Sequence, residues 1–200
     1  MGDNIMPVTI NGTSGVVTAT SYSGSGGNLT GITTGKILQV VSTNMDQTYS
    51  SNSTSYTSFG LNAVITPSST SSKILVLMNL VFGGTTNSYN YGRILRTPSG
   101  GSATEIAIGA DRTSTYAASQ EASFSMTCIN NNNAVYKNWH ASVNYLDSPN
   151  TTAATTYAVQ GKSRSGGSDG YFYINRMYSN DNADYQVGYS SNLTLMEIGA

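Results

Sequence analysis

The sequence predicts an all-β protein, an antiparallel β-sandwich of jelly-roll type with a short extended N-terminal arm. Three observations predict it. Short β-branched and aromatic runs recur along the 200 residues, each bounded by Gly, Asn, Ser or Pro. No window of a dozen residues keeps an apolar 3.6-residue period, and the one helix candidate, Ala117–Glu121, has room for a single turn. Starts of successive runs lie roughly 10–20 residues apart, which suits a sandwich or jelly roll.

Residues 1–34 read as the arm. Val8-Thr9-Ile10 and Val16-Val17 are strand-like fragments separated by Asn11-Gly12, and the glycines at 24, 26 and 27 then interrupt regularity. With Leu29 and Ile32 these are too few apolar residues to fill a core, so the arm is expected to dock on another chain or a symmetry mate. Residues 35–200 form the head. Its strands are expected at Lys36–Ser42, Phe59–Ile65, Lys73–Phe82, Tyr91–Thr97, Glu105–Ile108, Ala122–Ile129, Trp139–Tyr145, Thr155–Gly161, Tyr171–Ile174 and Asn192–Ile198. Lys73–Phe82 is apolar at both parities, which predicts a central strand covered on both faces. Ser68–Ser72 after Pro67, Asn130–Asn133 and Ser148-Pro149-Asn150 are turn chemistry, and Ser163–Gly170 reads as a mobile loop.

Composition narrows the function classes. Ser, Thr, Asn and Gly make up nearly half of the chain, and charged residues only 10%, against about 25% in an average soluble domain. Disorder pairs low hydrophobicity with high net charge, whereas the net charge here is −1 and there are 14 Tyr. Nine scattered Lys and Arg do not make the clustered basic surface that phosphate neutralisation needs, so nucleic acid is not an expected partner. No apolar run reaches the length of about 18 residues that suggests a membrane span. No secretory leader or myristoylation pattern opens the chain. The single Cys128 can form no intrachain disulfide, which points to synthesis in a reducing cytoplasm. Alternation puts it on a face with Phe124 and Met126, as a small core residue rather than a reactive thiol.

Little in the chain can do chemistry. His140 is the lone histidine and has no acidic or thiol neighbours in sequence, so it reads as the outward partner of an inward Trp139 on a strand. The Gly24–Gly31 cluster lacks the Lys-Ser/Thr ending and helix of a phosphate loop. Asp181 and Asp184 sit in an amide-rich loop that either holds a cation through oxygen ligands or is simply solvated. No catalytic residue, cofactor or metal site is assigned. The strongest binding signal is tyrosine: Tyr89, Tyr91, Tyr171, Tyr173, Tyr178 and Tyr185 lie among Asn and Ser, a mixture that gives rigid contact area with adaptable hydrogen bonds. These residues either meet a host receptor or fill a sheet face or subunit interface.

Four ordered phrases carry a resemblance. Gly35-Lys36-Ile37-Leu38-Gln39-Val40-Val41, Ile65-Thr66-Pro67-Ser68-Ser69-Thr70-Ser71-Ser72-Lys73-Ile74-Leu75-Val76, Leu146-Asp147-Ser148-Pro149-Asn150-Thr151-Thr152 and Thr194-Leu195-Met196-Glu197-Ile198 resemble tailed-phage virion proteins of the tail-fibre type, common in viruses of marine bacteria. The arm's Ser21–Ile32 segment is similar to a phrase often found just before the C-terminal head of phage fibres. The resemblance implies no catalytic motif, a place at the virion surface, a homotrimer, and contacts with other virion proteins. It also implies contact with a host glycan or outer-membrane protein. With only about 35 residues before the head, a capsid decoration protein or head fibre stays open beside the short tail fibre. A glycan depolymerase ranks last, because carboxylates are scarce.

Overall fold

The structure is a computed structural model that describes residues 36–85, 88–109, 123–126, 137–168, 170–179 and 188–199. All of them belong to one compact unit that begins at Thr34. The arm, Ala117–Glu121, Cys128, Asn130–Asn133, Asp181, Asp184 and Tyr185 lie outside the described residues.

The described residues form eleven strands and no helix: β1 (Ile37–Met45), β2 (Tyr49–Ser51), β3 (Thr57–Ile65), β4 (Lys73–Gly84), β5 (Asn90–Pro98), β6 (Thr104–Ile106), β7 (Phe124–Ser125), β8 (Trp139–Asp147), β9 (Thr155–Ser163), β10 (Phe172–Ile174) and β11 (Ser191–Ile198). Each strand expected from the sequence overlaps one of these, Ala122–Ile129 only through the two residues of β7, with residues 122 and 127–129 outside the described ones. Two differences have physical causes. β6 stops at Ile106 because Ala107 turns into the left-handed region, with φ of 56°. β2 has no alternation to announce it and exists through its pairing with β10.

The strands build two antiparallel sheets. In the first, β1 pairs with β11, β11 with β4, and β8 with the other side of β4; β10 pairs with the far end of β4 and carries β2. In the second the order is β3-β9-β5, with β6 and β7 both along the free side of β5. Setting aside the short β2, β7 and β10, the eight principal strands pair in chain order as first–eighth–third–sixth and second–seventh–fourth–fifth. That is the double Greek key of a jelly roll.

Alternation decides what lies between the sheets. Leu193, Leu195, Ile74, Val76, Met78, Leu80, Phe172 and Ile174 of the first sheet meet Phe59, Leu61, Ile65, Ile94, Tyr157 and Val159 of the second. Each large side chain buried this way contributes about 1.5–3 kcal/mol. Gly161 is needed where Met126 and Phe172 press on the second sheet, since a Cβ there would lie 2.9 Å from each. In β3 a register shift between Ser58 and Asn62 surrounds Gly60, whose φ of 95° suits glycine.

Two buried carboxylates fix the polar interior. Asp147, in the first sheet, accepts from Arg96 Nη1 at 2.9 and 3.0 Å and from the Tyr157 hydroxyl at 2.7 Å. Arg96 and Tyr157 are register partners in the second sheet, so this cluster bolts the two layers together. Burial, and then the bond to Asp147, push the Tyr157 hydroxyl's ionisation far above its ordinary range, so it stays a donor. Glu197 of β11 accepts from Gln39 Nε2 at 2.6 Å, from the Ser68 amide at 2.7 Å and from the Ser68 hydroxyl at 2.6 Å. Gln39 Nε2 also donates to the Thr66 carbonyl at 2.7 Å. At the other end of the first sheet, Asn175 donates to the Met45 and Gln47 carbonyls and accepts from the Ser191 hydroxyl, which in turn accepts from the Val81 amide.

Removing Asp147 leaves the part-buried Arg96 guanidinium without its carboxylate and the buried Tyr157 hydroxyl without its acceptor, so Asp147→Ala is expected to cost about 3–5 kcal/mol in urea denaturation. The apolar replacement Asp147→Leu with Arg96→Met and Tyr157→Phe is expected to cost clearly less. A single-variant loss below about 1 kcal/mol would show that water already satisfies these groups.

Burial alone would raise the carboxyl of Glu197, but its donors outweigh that and hold it down at about 2, against an ordinary 4.5. A depressed folded-state value stabilises the protein fully above the ordinary value, and that stabilisation drains away as pH falls from 4.5 towards 2. The melting temperature of the native chain should therefore fall through that window more steeply than that of Glu197→Gln. Parallel curves would contradict the role given to Glu197.

Candidate functional site

The fold leaves two outer sheet faces of different chemistry. On the first sheet, register partners share a face, which places Val40, Met196, Leu75 and Leu146 in one row across four strands. Val40 is 54% exposed and Leu146 55%, with Met196 and Leu75 half-buried. Ile37, Leu38 and Ile198 extend the apolar surface at one end. The next row, Ser42, Thr194, Leu77 and Asn144, is mixed, with Ser42 and Thr194 hydroxyls 2.9 Å apart. The row after it, Asn44, Asn192, Asn79 and Ser142, is all amide and hydroxyl. The face thus grades from apolar to polar along the strands.

This corrects one expectation. β4 is central, with partners on both sides, but its outer parity is not covered along its whole length. Residues 80–85 are buried, while Leu75 and Leu77 remain half-exposed. The buried end is roofed by the turn that follows β10: a Cβ on Gly83 would lie 2.6 Å from the Arg176 carbonyl.

The second sheet's outer face is aromatic and cationic. β5 presents Tyr91 and Arg93 outward, opposite Lys162 and Gln160 of β9. Beyond the strand ends the Arg164 amide donates to the Tyr89 carbonyl at 2.9 Å, and its guanidinium lies 5.4 Å from the Tyr89 ring. Lys162 Nζ lies 4.5 Å from the Tyr56 ring and 6.0 Å from that of Tyr91. Arg93 stacks on Tyr56 at 4.1 Å, donates through Nε to Gln160 at 2.8 Å, and is ion-paired to Glu105.

The six tyrosines singled out from the sequence therefore do not form one site. Tyr89 and Tyr91 lie on the second sheet's face. Tyr171, Tyr173 and Tyr178 form a separate group on the first sheet. Tyr171 and Tyr173 stack at 5.9 Å, Tyr178 tilts against Tyr173 at 5.7 Å, and Arg176 covers the Tyr173 ring at 4.8 Å. Tyr173 is only 8% exposed, and burial raises its phenol's ionisation against the opposing pull of Arg176. Tyr185 and the arm residues Val8, Ile10, Val16, Val17, Leu29 and Ile32 lie outside the described residues. Sequence reading missed Tyr56, Lys162 and Arg164. The two-residue spacing of Tyr89, Tyr91 and Arg93, and of Lys162 and Arg164, would have flagged Lys162 and Arg164 as sharing a face, whereas no sequence signal marks Tyr56, which precedes β3.

His140 is exposed on β8, and Trp139 turns inward to stack on Phe82 with centroids 6.3 Å apart. Among the described residues no group of three His, Cys, Asp or Glu is placed to hold a metal ion. No helix among them is long and apolar enough to cross a membrane.

No protein-family model matches the chain, and no curated protein does. Among solved structures it is similar to infectious bursal disease virus of the Gt strain, with 10% identity and a TM-score of 0.40 over 80% of this chain and 40% of the other. The Gx strain structure gives 12% identity and 0.39 over 81% and 40%. A mutant VP2 protein of the same virus, from derived T=1 particles, gives 11% and 0.37 over 80% and 36%. The chain spans about two fifths of the length of these structures.

Proposed function

We propose that this chain is a virion structural protein of a tailed phage, a short tail fibre that works by assembly and contact rather than catalysis. Jelly rolls serve viral capsid and lectin domains alike, so the fold by itself selects no function. The observation that carries the assembly reading is the row Val40, Met196, Leu75 and Leu146. It places a continuous apolar surface on a sheet face whose far row is all amide and hydroxyl, and such a surface marks an interaction site. Its occupant in this reading is a second copy of the chain, in a homotrimer that supplies the cover β4's two-sided apolar run calls for.

The virion location rests on the phrases that resemble phage fibre proteins. They have a structural logic in this fold: Gln39, Thr66, Ser68 and Glu197, drawn from three of the phrases, form one hydrogen-bonded cluster. Asp147 and Ser148 of the fourth are reached by Arg96 and by Lys73. Residues 1–34 attach the protein to the particle, and the head meets the host surface. Low charge suits a particle in high salt, where surface ion pairs are screened.

A capsid decoration protein is the second reading, in which the same apolar row would lie against the capsid. Immunogold labelling of whole virions beside tailless heads separates the two. The fibre reading expects label on tails and none on heads. Label spread over heads would make this a decoration protein, and particles without label would overturn both.

A further inference from the structure

We propose that the outer face of the second sheet is a binding site for an acidic polysaccharide. The site runs along the ladder of Tyr89 with Arg164, Tyr91 with Lys162, and Arg93 with Gln160, flanked by Tyr56. The inference rests on the host-contact part of the function proposed above and names the ligand class that this face would take.

Charge is concentrated there. Arg93, Lys162 and Arg164 are three of the nine Lys and Arg of a chain with net charge −1, and all three lie against outward tyrosines of one sheet. Arg93 alone of the three is matched by a carboxylate among the described residues, that of Glu105. Among the described residues neither Lys162 nor Arg164 is in an ion pair. Lys162 and Arg164 therefore leave this face with positive charge unmatched among the described residues.

The cations are also positioned. Lys162 is held near two rings and Arg164 near one, so each pays less entropy on meeting an anion than a free surface side chain would. Ladder partners repeat every second residue, about 6.8 Å along an antiparallel strand, which gives a linear track rather than a pocket. A linear track of aromatic and cationic groups matches a chain of pyranose rings. Their apolar C–H faces lie on tyrosine, and their carboxylate or sulfate groups meet Lys and Arg. Nucleic acid fits less well, because its dense phosphates call for more cations than this face provides.

The test is a binding titration of the full chain with dextran sulfate and with polygalacturonate, using neutral dextran as control. Both acidic polymers are expected to bind at low salt and to be released as salt rises, with neutral dextran not bound. Lys162→Gln with Arg164→Gln, which keeps the folded stems and removes the charge, is expected to weaken binding at least about tenfold. Tyr89→Ala, at an exposed ring, is expected to weaken it about fivefold. Lys73→Gln, which removes one positive charge on the other sheet, is expected to leave it unchanged. Binding of neither acidic polymer, equal binding by the double variant, or equal competition by a single-stranded DNA oligomer would each overturn the proposal. Because purified protein is used, a negative result leaves the virion location standing, and a protein absent from particles leaves this binding measurable.

Discussion

The last strand of the chain is an interior strand of the first sheet. β11 pairs with β1 along one edge and with β4 along the other, so among the described strands β1 joins the sheet through the C-terminal residues alone. Its parity sends Leu193, Leu195 and Glu197 inward and Asn192, Thr194, Met196 and Ile198 outward. A slip of one residue would exchange the two sets. Met196 and Thr194 would enter the core, and Glu197 would lose Gln39 and Ser68. A buried carboxylate without donors is costly, so Glu197 acts as a register pin: it is satisfied only when β11 sits where it does. The composition of the first sheet's outer face follows from that alignment.

Much of this was legible in the chain. The strand runs, the centrality of β4, and the inward Trp139 beside an outward His140 all follow from alternation and turn chemistry, which are local. What was not legible is what only pairing creates. β2 is three residues with no pattern of their own. The Asp147, Arg96 and Tyr157 cluster joins residues from two sheets, and nothing in the sequence brackets them together. The tyrosines are the clearest case: their abundance was visible, but their division between two opposite faces depends on which strand each one joins. Reading Lys73–Phe82 as buried on both sides caught a real feature of the residues. Within one chain, that cover exists only at the strand's far end.

The two outer faces then complement each other. The first offers an uncharged apolar row that a copy of itself can cover without leaving a buried ion. The second offers cations steadied by aromatic rings, a surface suited to an anionic partner in water. Apolar contacts hold an assembly at salt concentrations that screen surface ion pairs, while a charged ladder gives reversible capture. In the proposed reading, one sandwich serves assembly on one side and recognition on the other.

The most direct test of this account is the mass of the protein in solution, measured by sedimentation equilibrium for the native chain and for Val40→Glu with Leu146→Glu. Both positions are exposed, so the double variant is expected to fold with an unchanged circular dichroism spectrum. The account predicts a trimer for the native chain and a monomer for the variant. A native chain that stays monomeric, or a folded variant that keeps the native mass, would contradict the claim that the apolar row is a subunit interface.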